Sequence, residues 1–107
     1  MEVLSQIVIP YSWGSVENAE IVAWTVEEGA TVAEGDALAE VTTDKVDTDL
    51  EAPAAGRLVR RLVDVGTEMQ VGTPVALLAA PDASDDDVAK ALEAFDAGGV
   101  ELPTAGG

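Results

Sequence analysis

Few residues in this sequence could carry out chemistry by themselves. Cysteine and histidine are absent from all 107 residues, so thiolate nucleophiles, cysteine metal sites and the commonest general base are missing. Lysine occurs twice, as Lys45 and Lys90. Any redox or acyl-transfer chemistry would therefore depend on a cofactor.

Lys45 lies between two runs of residues that are typical of strands, predicted at 37–42 and 46–51. Asp44 and Lys45 would form a two-residue connection between them, which is the length of a tight hairpin. Lys90 lies in a predicted helix instead. On these residues alone, an ordinary solvated turn lysine, paired loosely with a neighbouring acid, is the simpler explanation of Lys45.

The predicted strand 46–51 alternates two kinds of residue. A period of two places neighbouring side chains on opposite faces of a sheet. We expect the core-facing set to be Val46, Thr48 and Leu50, and the solvent-facing set to be Asp47, Asp49 and Glu51. Pro53 would then end the strand, and Gly56 would let the chain turn into the next one.

Acidic residues dominate the charge: 21 Asp and Glu stand against 5 Lys and Arg, a net charge of −16. This balance argues against nucleic acid and against anionic membranes, because both require a basic surface. It suits a solubilising surface and permits a basic protein partner. No apolar stretch could span a bilayer and residues 1–9 lack a signal-peptide pattern, so a soluble cytoplasmic protein is expected. We expect Arg57, Arg60 and Arg61 to neutralise neighbouring acids.

An internal repeat with an offset of 37 residues runs through the first 80 positions. Gly29 matches Gly66 and Gly35 matches Gly72. The apolar pairs in the same register are Ile21–Leu58, Val22–Val59, Val26–Val63, Val32–Met69, Leu38–Val75 and Val41–Leu78. Glycines repeat where the chain must turn, and apolar residues repeat where it must bury a face. Two units that are each too short to bury their own apolar face must pack on each other.

We therefore predict an all-β domain over residues 1–80. It would be a flattened β-barrel or sandwich of two four-stranded antiparallel sheets, related by a pseudo-two-fold axis. The strands are placed near 3–9, 19–26, 30–33, 37–42, 46–51, 56–63, 67–71 and 74–79.

Residues 81–107 differ in character and are predicted to be an acidic C-terminal linker or tail. They contain one possible short helix, at 85–97. Ser84 could cap it, and an apolar stripe falls at helical spacing on Val88, Ala91, Leu92 and Phe95. Because isolated helices of this length are marginal in water, this helix would either dock on a surface or fray, and a solvated linker with a nascent helix is favoured.

With the repeat in place, the sequence resembles the biotinyl/lipoyl attachment family over about residues 3–80. The resemblance rests on a lysine that follows an acid and lies on a turn between two half-repeats. The triplet Asp44-Lys45-Val46 is similar to the Asp-Lys-Ala of the lipoyl branch, with Val46 as a mild departure. It lacks the methionines that flank the lysine in the biotinyl branch. Further segments that resemble the family are 20–29, 34–38, 52–56 and 71–75.

The resemblance implies a lipoyl carrier domain with lipoic acid attached to Lys45. A lipoate ligase or lipoyltransferase would recognise the turn through Asp44 and Val46. The lipoylated arm would shuttle acyl groups and electrons between active sites of a 2-oxoacid dehydrogenase complex, and the domain would not be an enzyme by itself. Its partners there would be a thiamine-dependent 2-oxoacid decarboxylase, the core of a dihydrolipoamide acyltransferase and a dihydrolipoyl dehydrogenase.

Residues 10–18 depart from the family, because they lack the usual Gly-Glu-Gly character of its first loop. In the family this loop lies beside the lipoyl-lysine and helps partners to recognise the domain. The resemblance therefore implies a role in partner recognition for four residues of this loop: Ser12, Trp13, Gly14 and Glu17. Trp13 is expected to be partly buried. Two alternative functions stay open: a biotin carrier domain of a carboxylase, and an unmodified interaction module that uses the acidic face.

Overall fold

The computed structural model describes residues 3–9, 18–44, 46–98 and 102–105, which form eight strands and one helix. The strands are β1 (Leu4–Val8), β2 (Ala19–Trp24), β3 (Thr31–Val32), β4 (Ala37–Thr43), β5 (Asp47–Glu51), β6 (Gly56–Arg61), β7 (Glu68–Met69) and β8 (Pro74–Ala79), and the helix is α1 (Asp85–Asp96). Each observed strand coincides with a predicted one, and β4 extends one residue further than predicted.

The strands form two four-stranded antiparallel sheets. The first sheet has the order β1-β8-β6-β3, and the second sheet has the order β5-β4-β2-β7. Side chains from both sheets form one buried apolar core, whose larger members include Ile7, Ile21, Leu38, Leu50 and Leu58. The predicted all-β architecture is confirmed. Within the described part of the chain, no helix is long and apolar enough to cross a membrane.

The 37-residue repeat is visible as a pseudo-two-fold relation between the two sheets. The Gly29 amide donates to the Leu58 carbonyl at 2.5 Å, and the Gly66 amide donates to the Ile21 carbonyl at 2.8 Å. A shift of 37 residues converts one bond into the other. The same shift relates the register irregularities of β2 and β6. Each half-repeat therefore completes its turns with backbone atoms of the other half.

The two glycine pairs of the repeat share one backbone conformation. Gly29 and Gly66 have φ angles of 93° and 90°, and Gly35 and Gly72 have φ angles of 90° and 85°. Residues with a Cβ are strained in this left-handed region, whereas glycine is not. The glycines therefore recur because each half needs the same two turns.

Gly56 has a different role from the one its sequence predicts. We expected it to serve a turn, but it is the buried first residue of β6 and its φ is not positive. A Cβ at this position would lie 2.3 Å from the carbonyl oxygen of Ala79 and 2.9 Å from Cγ of Leu78. The close approach of β6 to β8 requires the glycine, and contacts between distant strands cannot be read from local sequence.

This difference makes a testable rank order. We expect Gly56→Ala to lower the free energy of unfolding by about 2–3 kcal/mol, because the added methyl group overpacks a closed site. Gly66→Ala meets no atom within 4 Å and is penalised by its φ angle alone, at about 1 kcal/mol. Urea unfolding of both variants measures the order. A Gly56→Ala variant as stable as Gly66→Ala would contradict the packing explanation.

Helix α1 covers the outer face of the first sheet. Val88 is buried and belongs to a second apolar cluster with Leu4, Leu77 and Ala79. Ser84 caps the helix, since its Oγ accepts a hydrogen bond from the Asp87 amide at 3.2 Å. The sequence favoured a solvated linker with a nascent helix, and the structure instead has a packed helix. The apolar stripe finds a sheet face to bury, which local helix propensity alone could not reveal.

Two ion pairs join α1 to the first sheet. The Arg57 guanidinium pairs with Asp85 at 2.8 Å, and Arg60 pairs with Asp96. Both acids are largely exposed, at 90% and 53% of the side chain, so each pair contributes only about 0–1 kcal/mol. Apolar burial is therefore the main attraction, and the ion pairs orient the helix.

Arg61 differs from the other two arginines. Its Cζ lies 5.3 Å from the centroid of the Trp24 ring, and its guanidinium donates to the Val26 carbonyl at 2.5 Å. The expected pairing with an acid therefore describes Arg57 and Arg60, whereas the described side-chain contacts of Arg61 are with a ring and a carbonyl.

The last described segment pairs with the edge of the first sheet. The Gln6 amide of β1 donates to the Pro103 carbonyl, and the Ala105 amide donates to the Gln6 carbonyl, both at 2.8 Å. The Gln6 side chain also donates to the Leu102 carbonyl at 3.0 Å. Residues 102–105 thus form a short parallel bridge to β1.

The packed helix predicts a measurable contribution to stability. We expect Val88→Ala to lower the free energy of unfolding by about 1–2 kcal/mol, because it empties a buried position. Val65→Ala is the matched control, since Val65 is 58% exposed and its substitution should cost less than about 0.5 kcal/mol. The amides of α1 should also exchange with solvent as slowly as those of the strands. Exchange of α1 at the rate of an unstructured peptide would contradict the packing.

Candidate functional site

The hairpin formed by β4 and β5 carries the predicted attachment residue. The two strands pair antiparallel, and the last pair of their ladder is Thr42 with Asp47. Lys45 lies outside the described residues, while its sequence neighbours are both described. Asp44 is exposed and Val46 is 61% exposed. The chain on each side of Lys45 is therefore open to an approaching enzyme.

Thr43 closes the base of this connection. The Thr43 amide donates to the Val46 carbonyl at 2.9 Å. The Thr43 hydroxyl donates to the same carbonyl at 2.6 Å and accepts from the Val46 amide at 3.0 Å. The sequence analysis did not single out Thr43. The available signal was a hydroxyl residue directly before a tight turn, where such side chains often bond to the local backbone.

Thr42 and Asp47 reinforce the same base one step further from the tip. The Thr42 hydroxyl donates to Oδ1 of Asp47 at 2.5 Å across the ladder. Side-chain and backbone bonds together tie both strands on both sides of position 45. The turn is therefore presented from a fixed base rather than from a loose loop.

Val46 departs from its prediction. We placed it on the core face of the strand, together with Thr48 and Leu50. Leu50 is buried and Thr48 is half-buried, as expected, but Val46 is 61% exposed and lies before the first residue of β5. Alternation holds where a strand is paired over the core, and Val46 lies beyond the last ladder pair.

The hairpin has a counterpart in the other half of the repeat. Thr43 bonds to Val46 through its amide, and at the same 2.9 Å distance the Ala80 amide donates to the Val3 carbonyl. The chain enters β1 and leaves β8 at this equivalent place. One half therefore presents a closed turn where the other half has two chain segments, one of which leads to α1.

The surroundings of the hairpin are negative. A depression of about 240 Å³ lies beside Asp44, and its lining includes Glu20, Glu68 and Asn18. No group of acidic residues in the described ranges is arranged to hold a metal ion.

Asn18 directly follows the loop that contains the predicted recognition residues Ser12, Trp13, Gly14 and Glu17. Those four residues lie outside the described residues, so their predicted role in recognition and the partial burial of Trp13 stay predictions. Asn18 is exposed and lines the depression beside Asp44. The described end of the loop therefore lies next to the hairpin.

Comparison with known proteins identifies the class to which this fold and hairpin belong. Residues 5–78 match the biotin/lipoyl family model, whose description is "Biotin-requiring enzyme". The chain belongs to this biotin/lipoyl attachment family, and it is a carrier domain of the biotin/lipoyl type.

Two curated proteins similar to this chain come from one branch of the family. Over 70 residues the chain is 39% identical to the dihydrolipoyllysine-residue acetyltransferase component of the pyruvate dehydrogenase complex from Staphylococcus epidermidis, and equally to that from Staphylococcus aureus. The matched region is 65% of this chain and 16% of each relative. The chain thus corresponds to a small part of these relatives.

A solved structure shares the fold. It belongs to a single-chain, multi-domain long-chain acyl-CoA carboxylase, with a TM-score of 0.58 and 23% sequence identity. The likeness covers 90% of this chain and 9% of the carboxylase chain. At this identity, the likeness describes the fold alone.

The hydroxyl clamp at Thr43 yields a prediction. We expect Thr43→Val, which keeps the shape and removes the hydroxyl, to speed exchange of the Val46 amide about fivefold, the equivalent of losing one hydrogen bond worth about 1 kcal/mol. Thr43→Ser retains the hydroxyl and is the matched control. Amide exchange measured by NMR compares the two. Equal protection of the Val46 amide in both variants would show that the Thr43 hydroxyl does not stabilise the base of the turn.

Proposed function

We propose that the chain is a lipoyl carrier domain in which lipoic acid is joined to Lys45 by an amide bond. The observation that carries the proposal is the Asp44-Lys45-Val46 connection, closed at its base by Thr43 and exposed on both sides of the lysine. It joins two half-repeats in a chain without thiol or imidazole groups of its own. The 39% identity to acetyltransferase components of pyruvate dehydrogenase complexes supports the lipoyl branch.

The residues of the chain suit this group in three ways. The exposed flanks of Lys45 leave room for an arm, and the tied hairpin base fixes the point from which the arm extends. The absence of cysteine removes any protein thiol that could exchange with the cofactor's sulfur atoms. When bound, the lipoyl group supplies a disulfide that accepts an acyl group together with two electrons.

The proposed partners follow from this role. A lipoate ligase or lipoyltransferase attaches the group and reads Asp44 and Val46. A thiamine-dependent 2-oxoacid decarboxylase loads the arm, the acyltransferase core unloads it, and a dihydrolipoyl dehydrogenase reoxidises it. Tethering to such a core raises the local concentration of the arm at each active site. Ser12, Trp13, Gly14 and Glu17 contribute to the choice of decarboxylase.

The folded carrier unit extends beyond residue 80 in this proposal. Val88 of α1 is buried against the first sheet and Ala105 packs against the main core. A linker to another domain would therefore begin after residue 105 rather than at residue 81.

A biotin carrier is the second candidate. It is favoured by the family, which includes both cofactors. Asp44 and Val46 argue against it, because the biotinyl branch of the family has methionines at these two positions. The first candidate therefore accounts for the residues around Lys45 better.

One experiment separates the two cofactors. The purified chain is incubated with lipoate and a lipoate ligase, or with biotin and a biotin ligase, and intact mass is measured. We expect one lipoyl amide per chain and no biotin adduct. Lys45→Arg keeps the charge and should abolish the adduct, whereas Lys90→Arg is the matched control and should leave it unchanged. A biotin adduct, or a lipoyl adduct that survives in Lys45→Arg, would contradict the proposal.

A further inference from the structure

The two sheets segregate charge completely. Within the described strands, the first sheet has three arginines, all on β6, and no acid. The second sheet has six acids and no base. The acids are Glu20, Glu40, Asp47, Asp49, Glu51 and Glu68. On the first sheet, α1 brings Asp85 and Asp96 to Arg57 and Arg60. Within the described chain, no equivalent segment brings a base to the acids of the second sheet.

The second sheet also sets like charges opposite each other. Glu40 is the direct partner of Asp49 across β4 and β5, and Glu20 is the direct partner of Glu68 across β2 and β7. Like charges in this arrangement destabilise a sheet. A cationic partner over this face would turn the repulsion into attraction.

An open groove of about 620 Å³ lies on this outer face. Val22 contributes an apolar side chain that is 47% exposed, and Glu40, Thr42, Asp47 and Asp49 line the groove around it. The groove thus combines an apolar centre with acidic walls. Its lining includes Thr42 and Asp47, the last ladder pair before the Lys45 turn.

The pseudo-two-fold relation shows what such a face can hold. Val22, Glu40 and Thr42 correspond at the 37-residue offset to Val59, Leu77 and Ala79. These three counterparts belong to the apolar cluster under α1. The groove is therefore the open equivalent of a face that already holds an amphipathic helix.

We propose that the groove on the second sheet is a docking site for a basic amphipathic helix of a partner protein. Helix α1 of a second copy does not fit, because its five acids against one lysine would face an acidic wall. By analogy with Asp85 and Asp96 on α1, the partner helix carries basic residues about three turns apart. An apolar stripe between them covers Val22. The proposal goes beyond the carrier function and does not depend on modification of Lys45.

The test uses a synthetic peptide as a probe. The peptide has the sequence of residues 84–97 with lysine in place of every aspartate and glutamate, so that it keeps the stripe of α1 and reverses its charge. Titration into the full, unmodified chain, followed by NMR, should shift amides of β2, β4 and β5 and leave those of β6 and β8 unchanged. The unaltered acidic sequence and a scrambled form of the basic peptide are the controls, and both should bind far more weakly.

Paired variants separate the groove from general attraction to an acidic protein. Glu40→Gln with Asp49→Asn removes two charges from the groove, whereas Asp82→Asn with Glu93→Gln removes two exposed charges from the tail. Only the first pair should weaken binding strongly. Val22→Ser should weaken it about fivefold and Val65→Ser should not, since only Val22 is covered on docking.

The variants' amide spectra establish that each remains folded. Equal weakening by both charge pairs would overturn the proposal, as would an unaffected Val22→Ser variant or the absence of saturable binding.

Discussion

The backbone hydrogen bonds exchanged between the two half-repeats are the interaction on which the rest of the structure depends. The amide of Gly29 bonds to one strand of the other half, and the amide of Gly66 returns the same bond. Each turn has one bond within its own half, from Ala30 to Glu27 or from Thr67 to Asp64, but the acceptor for its glycine amide comes from the other half. The turns and the buried faces therefore form only when both halves are present, and the core and its surface sites are parts of one cooperative unit.

The hairpin at Lys45 is the covalent link between those halves. Strand β4 belongs to the first half and β5 to the second, yet both are neighbours in the second sheet. The hydrogen bonds of Thr42 and Thr43 thus hold the two half-repeats together at the point where one ends and the other begins. A carrier benefits from this arrangement, because the base of its arm is fixed by both halves at once.

Most of the fold could be predicted from the sequence because the repeat records it. Glycines at a fixed offset mark turns that need φ above zero, and apolar residues such as Leu38 and Leu58 mark the buried faces. The predictions that were wrong share a cause: each concerns a residue or helix whose surroundings are formed by residues distant in the sequence. Gly56 is explained by the carbonyl of Ala79, and α1 is explained by the apolar outer face of the first sheet.

The candidate site was predictable to a different degree. The turn and its acidic neighbour could be located, because a two-residue connection between strands has a clear pattern. The exposure of Val46 and the clamp of Thr43 could not, since both depend on where the ladder stops. The groove around Val22 was hidden for another reason. The repeat matched Val22 with Val59 as though both were equally covered, whereas only Val59 lies beneath a helix.

The four edges of the two sheets are each protected from pairing with another molecule. Strands β3 and β7 are only two residues long, and β1 is already paired with residues 102–105 through Gln6. The remaining edge, β5, presents an acid at every second residue. Short, occupied or charged edges resist intermolecular strand addition. Although most of the fold is β-structure, these edges therefore resist fibril formation at high protein concentration, even while the hairpin stays exposed.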